Sequence, residues 1–386
     1  MITEHLAELV RSALASAVAD GVVGDASLPT VEFERPRRPE HGDWATNAAL
    51  AVGGGNPRAI AEAIVDRLPA SDLVERVEVA GPGFINFHLA DAWLHDVVGR
   101  AADPDSRFGR NDEGAGRKVN VEYVSANPTG PISVVSGRHA AVGDAVSNLL
   151  EATGHQVTRE FYINDYGRQA DLFGQSVAAR YLQHFGVDAE LPEDGYKGEY
   201  LIDLAAEIAK DVGEIYVSAS PEDRVAALLR LGLERMLAQM KASLERFGTR
   251  FEVWFSERSL HESGAVAEVV EGLKTKGLAE ERDGAVWFKS SVFGDDKDRV
   301  LVRANGEPTY AASDAAYLID KFQRDFDHLI YLWGADHHGY IARQLAAAEA
   351  LGFARDAVEI AIVQIVKLSH GVETLKGSKR AGVVFP

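Results

Sequence analysis

Apolar positions in the first hundred residues switch between helical and strand spacing. Leu6, Leu9, Val10, Leu14 and Val18 recur every three or four residues and predict an amphipathic helix. A short strand is expected over residues 30–33. Asn56-Pro57 opens a second helix through Ile60, Ile64 and Leu68, with proline at the first helical position. Val77-Glu78-Val79 and Phe84-Ile85-Asn86-Phe87 read as two strands joined across Gly81-Pro82-Gly83. These elements make a small α+β domain of residues 1–101. The stretch 102–116, rich in Asp, Gly, Asn and Pro and poor in apolar residues, reads as a linker.

Residues 117–386 carry a different pattern. Residues 119–124 form a strand and 125–131 a polar turn. A helix over 137–153 carries Val142, Val146, Leu149 and Leu150 on an apolar face and stops at Gly154. Residues 157–163 make a second strand, so the order strand, helix, strand predicts a parallel sheet with a crossover helix. Such sheets bind ligands at the carboxyl ends of their strands. Residues 200–247 are helical, with Leu228, Leu231, Leu233, Met236 and Leu237 as the apolar stripe. Asp283-Gly284 and Asn305-Gly306 predict two hairpins, the second joining 299–303 to 307–310. Strand and helix then alternate again over 329–333, 341–351 and 358–366. The fold class is therefore α/β, with the sheet interrupted by a helical and hairpin insertion at about 190–300.

Composition narrows the function classes. At roughly 150 residues per domain, 386 residues suggest two or three domains. The chain has no cysteine, which excludes disulfides, thiolate nucleophiles and cysteine-bound zinc. A net charge of −19 argues against broad attraction to nucleic acid or anionic membrane. No apolar run reaches the ~18 residues of a membrane span, and the N-terminus lacks a basic segment leading into an apolar one. A cytoplasmic protein without a membrane partner is expected.

Three turns after strands could carry chemistry: Ser125-Ala126-Asn127-Pro128-Thr129-Gly130-Pro131, Gly334-Ala335-Asp336-His337-His338, and Lys376-Gly377-Ser378-Lys379-Arg380. The third suits a polyphosphate by charge. Neither a Walker loop, nor a dinucleotide-binding glycine fingerprint, nor a Gly-x-Ser-x-Gly elbow occurs. His337 and His338 diverge as neighbours on a turn and have no spaced partner, so no structural metal is expected.

The segment 119–165, with Glu122, the run 125–131, Gly143-Asp144 and Tyr162-Ile163-Asn164-Asp165, resembles the catalytic core of the arginyl-tRNA synthetases, class I aminoacyl-tRNA synthetases. His41-Gly42-Asp43-Trp44-Ala45-Thr46-Asn47 and residues 80–87 resemble that family's N-terminal domain, which contacts the tRNA elbow. Phe255-Ser256-Glu257, the run 293–299, Pro308-Thr309-Tyr310 and the run 334–340 extend the likeness over essentially the whole chain. The resemblance implies a Rossmann-like class I domain at 117–386. It also implies an arginine pocket in which Glu122, Tyr310 and Asp314 surround the guanidinium. A planar cation with five donors is matched by carboxylates and a phenolic oxygen. Ser125, Asn127 and His337 join them as arginine-binding positions, with Asp336 beside the nucleotide.

Where the family carries His-x-Gly-His for ATP, the aligned stretch is Ser133-Val134-Val135-Ser136. Serines at Ser133 and Ser136 remove two phosphate-contacting imidazoles, and Val135 fills the space that glycine leaves for adenine. The family's Lys-Met-Ser-Lys loop appears as Lys376-Gly377-Ser378-Lys379, making Lys376, Ser378 and Lys379 the expected catalytic residues. The family's anticodon-binding domain is expected to be absent. Two readings follow from the resemblance. One is an enzyme that binds L-arginine, activates it with ATP and Mg2+ as arginyl-adenylate, and passes it to tRNA or another acceptor. The other is a non-catalytic arginine-binding or regulatory paralogue.

Overall fold

The computed structural model describes residues 2–24, 29–53, 55–364, 366, 368–370 and 373–375. It divides into two compact units, Met1–Gly109 and Arg110–Pro386.

In the first unit, α1 (Ile2–Ala19) buries Leu6, Leu9, Val10 and Leu14. Strand β1 (Trp44–Thr46), helices α2 (Ala48–Val52) and α3 (Pro57–Val65), strands β2 (Val74–Ala80) and β3 (Phe84–Leu89), and helix α4 (Asp91–Ala102) follow. The strands form an antiparallel sheet in the order β1-β3-β2. Asn56 caps α3, its side-chain oxygen accepting from Arg58 N at 3.0 Å ahead of Pro57. That helix ends at Val65, before Leu68. The strand expected over 30–33 does not form. Val31 is buried and Phe33 meets Phe87 edge-on at 5.4 Å, yet three-residue β1 accepts only the single bridge from Glu34 to Ala45. Helix α4 buries no residue, which is why no apolar stripe announces it.

The second unit is built on strands β4 (Lys118–Glu122), β5 (Gln156–Ile163), β6 (Val253–Ser256), β10 (His328–Gly334) and β11 (Val358–Val363). All four pairings are parallel, in the order β11-β10-β4-β5-β6, which makes the fold α/β with an open parallel sheet. Helix α5 (Val134–Ala152) crosses from β4 to β5 and closes on Gly154 at φ +87°. Helices α6 (Arg168–His184), α7 (Tyr200–Val212) and α8 (Pro221–Arg246) share their own apolar cluster. Helices α9 (Glu257–Glu262) and α10 (Ala265–Thr275) lead to a second antiparallel sheet of β7 (Ala279–Arg282), β8 (Ala285–Phe288) and β9 (Arg299–Val302). Helices α11 (Tyr310–Gln323) and α12 (Ile341–Leu351) flank β10.

Three expectations are corrected. The stretch 190–300 is not one insertion, because β6 inside it takes the edge of the parallel sheet. The second arm of the Asn305-Gly306 turn forms no strand: only one bridge, Val302 to Pro308, is made before Tyr310 starts α11. The buried side of α5 is Ala140, Gly143 and Ser147, while Val142 is 38% and Leu149 67% exposed. The reason is close approach: a Cβ on Gly143 would stand 2.2 Å from the Tyr123 ring, so small residues face the sheet.

The sheet's two faces differ. Val119, Val121 and Tyr123 of the β4 segment join an apolar cluster with Ile330, Leu332 and Val363. The opposite face of β4 and β5 carries Asn120, Glu122 and Glu160, all buried. A parallel sheet covered on both sides is ordinarily apolar on both, so this polar row marks where the fold departs from packing alone.

Candidate functional site

A cavity of about 660 Å³ lies at the carboxyl ends of β4, β5 and β10, the end at which open parallel sheets bind ligands. Glu122, Ser125, Asn127, Tyr310, Asp314, Asp336 and His337 all line it. Ser133, Val135 and Ser136 are not among its lining residues, and Lys376, Ser378 and Lys379 lie outside the described residues.

Beyond β4 the chain turns through two left-handed residues, Val124 at φ +68° and Ser125 at φ +37°. A β-branched residue is sterically opposed there. Ser125 anchors the turn: its amide donates to the Tyr123 carbonyl at 2.9 Å, its hydroxyl donates to Glu122 Oε1 at 3.3 Å, and that hydroxyl accepts from Tyr162 N at 3.0 Å. The strained turn thus faces Ser125 toward the carboxylate. Asn127 Nδ2 then donates to Gln169 Oε1 at 2.7 Å.

Helix α11 contributes Asp314, Tyr317 and Lys321, spaced three and four apart and so on one face. Lys321 is fully buried. Its ammonium donates to Glu122 Oε2 at 2.7 Å and lies over the rings of Tyr317 and Tyr331, 4.5 and 4.1 Å from their centroids. Arg343 donates to Asp314 Oδ2 at 2.9 Å. Behind them Glu160 accepts from Arg324 at 2.8 and 2.9 Å, from Asn120 at 2.7 Å and from the Tyr317 hydroxyl. Glu122 and Asp314 are therefore each tied through one oxygen to a resident cation.

Burial pushes the Asp314 carboxyl up to about 6; Arg343 opposes this and Glu122 adds to it. Burial likewise raises Glu257 to about 7, with Asp314 as the next contributor. Glu257 lines an adjoining cavity of about 690 Å³ that shares Tyr310. Asn164 lines the first cavity, and its Oδ1 is buried without a hydrogen-bond partner among the described residues. Carboxylates, a phenol and a spare amide acceptor gathered in one hollow suit a cation with several N–H donors.

Sequence reasoning missed Lys321, Arg343 and His139. The 314-317-321 spacing was available to find Lys321, whereas Arg343 and His139 meet the cavity only through the fold. Among the described residues no group of three or more His, Asp or Glu side chains could hold a metal ion, and no helix is long and apolar enough to cross a membrane.

Comparison with known proteins gives concordant matches. Residues 4–89 match the arginyl tRNA synthetase N-terminal domain, and residues 105–382 match the catalytic domain of class I tRNA synthetases of the arginine type. An arginine–tRNA ligase of Desulforudis audaxviator is 48% identical over 97% of this chain and 67% of its own length. One from Moorella thermoacetica is 47% identical over 98% of this chain and 68% of its own. The Thermus thermophilus arginyl-tRNA synthetase structure shares the fold, with a TM-score of 0.61 at 23% identity over 94% of this chain and 66% of that one. The chain thus spans about two thirds of the length of the proteins it matches.

Proposed function

The chain belongs to the arginyl-tRNA synthetase family of ATP-dependent ligases, and we propose that its central cavity binds L-arginine and activates it with ATP for transfer to tRNA. The observation that carries this reading is the meeting of Glu122, Asp314 and Tyr310 with Ser125, Asn127 and His337 around one cavity. Glu122, Asp314 and Tyr310 take the guanidinium, and Ser125, Asn127 and His337 serve the amino-acid end. In activation, a carboxylate oxygen of arginine attacks the α-phosphorus of ATP, and pyrophosphate leaves as the adenylate forms. Mg2+ enters with the nucleotide, and Lys376, Ser378 and Lys379 are assigned to its phosphates. A non-tRNA acceptor has no support among the relatives, which are arginine–tRNA ligases.

Arginine-dependent exchange of labelled pyrophosphate into ATP tests this, run with and without tRNA on protein whose folding is checked by circular dichroism. Exchange is expected. No exchange at high protein concentration would remove activation from the reading. The second reading is a non-catalytic arginine-binding paralogue. It is supported by Ser133, Val135 and Ser136, which the family resemblance sets against the two histidines and the glycine of the ATP signature. Arginine binding by calorimetry without any ATP binding would select it.

A further inference from the structure

Besides His337, the cavity wall holds an imidazole that neither the signature nor the lysine loop supplies. His139 lies on α5, three residues past Ser136, and lines the cavity beside Asp336 and His337. Side chains on a helix lean toward its N-terminus, so a residue three positions on covers the turn of Ser136. A long side chain at His139 therefore reaches over the turn where the short Ser136 side chain falls away. The ring lies against β10: a Cβ built on Gly334 would be 3.9 Å from its Nε2. Helix α5 also begins without a side-chain cap and without an acidic residue in its first turn, leaving its positive end uncompensated by its own residues.

We propose that His139 is a nucleotide-binding residue, contacting the phosphates of ATP in place of the histidines that Ser133 and Ser136 have replaced. The proposal rests on the reading that this cavity takes ATP. Burial holds the ring below the usual histidine range, against the pull of Asp336 and the Trp333 backbone and with that of His337 and Arg138. At neutral pH the ring is therefore uncharged. A neutral imidazole donates through one nitrogen and keeps a lone pair on the other. A polyphosphate arriving at that nitrogen favours the charged ring, so binding takes up a proton there.

The test is a proton NMR titration of the His139 ring, assigned by its loss in His139→Asn, in the free protein and with Mg·ATP, adenosine or arginine. ATP is expected to move the His139 midpoint upward by about one pH unit, equivalent to ~10-fold tighter binding to the charged ring. Adenosine, which lacks phosphate, is expected to leave it in place. His139→Asn is expected to weaken ATP roughly tenfold in calorimetry, while arginine affinity and melting temperature stay close to those of the parent. ATP that binds with the midpoint unmoved and with His139→Asn unimpaired would overturn the assignment and leave nucleotide binding standing. A parent protein with no affinity for ATP would overturn both.

Discussion

At the scale of single residues, the charges in the cavity decide the behaviour. Any incoming cation shares Asp314 with Arg343, and loss of that carboxylate leaves the half-buried Arg343 guanidinium without its partner. Asp314→Asn is expected to weaken arginine binding by roughly 2–5 kcal/mol, read as Kd by calorimetry; an unchanged Kd would exclude Asp314 from the site. The same residue sets a pH dependence. Its folded carboxyl sits at about 6 without ligand, above the ordinary value, because burial favours the protonated form. A guanidinium needs the charged form, so arginine affinity is expected to hold above pH 7 and to fall by up to about tenfold per pH unit below 6. A flat profile from pH 5 to 8 would separate arginine from this carboxylate. Glu122, Asn127 and Tyr310 were legible because each lies inside a continuous motif, and Asp314 followed only from the family resemblance. Arg343 and His139 were not, since only the convergence of α5, α12 and β10 gives them neighbours.

At the scale of elements, the strand–helix–strand order announced the parallel sheet, and the 283–284 turn announced its hairpin. What hid was which side of α5 turns inward. Hydropathy ranks Val142 and Leu149 above Gly143, but the space between α5 and β4 admits no side chain where Gly143 meets Tyr123. Gly143→Ala is expected to cost about 1–3 kcal/mol in urea unfolding, as overpacking at a helix–sheet contact does, despite alanine's better helix propensity. A neutral or stabilising outcome would show that the helix can lift away freely. Helix α11 faces the sheet with charge as well as alanine, and Lys321→Met would leave Glu122 buried without its cation. A loss of ~3–5 kcal/mol is expected, with much of it recovered when Glu122→Gln is added. Additive losses in that double variant would mean the pair is not coupled.

At the scale of the whole molecule, the two units meet the sequence-level boundary only approximately. The expected linker of 102–116 contains the end of α4, the division at Gly109 and a residue, Gly114, packed against His155. Residues 103–113 are exposed except for half-buried Ser106. Limited trypsin digestion is therefore expected to cut first after Arg107 or Arg110 and to yield two persistent fragments. Early cuts elsewhere would show this segment to be shielded. The interrupted sheet explains the mistaken single insertion: β6 has four half-buried residues and no pattern of its own, so only its pairing with β5 identifies it.

The resident cations of the cavity also bear on what is turned away. Lys321 already occupies one oxygen of Glu122 as a compact ammonium, and Arg343 one oxygen of Asp314. A flat guanidinium spreads its charge and can take the oxygens left over edgewise. The ammonium of a free lysine concentrates the same charge and would be driven against Lys321. If the cavity takes arginine as proposed, these resident cations disfavour the other basic amino acid, and lysine is expected to fail to displace arginine even in large excess.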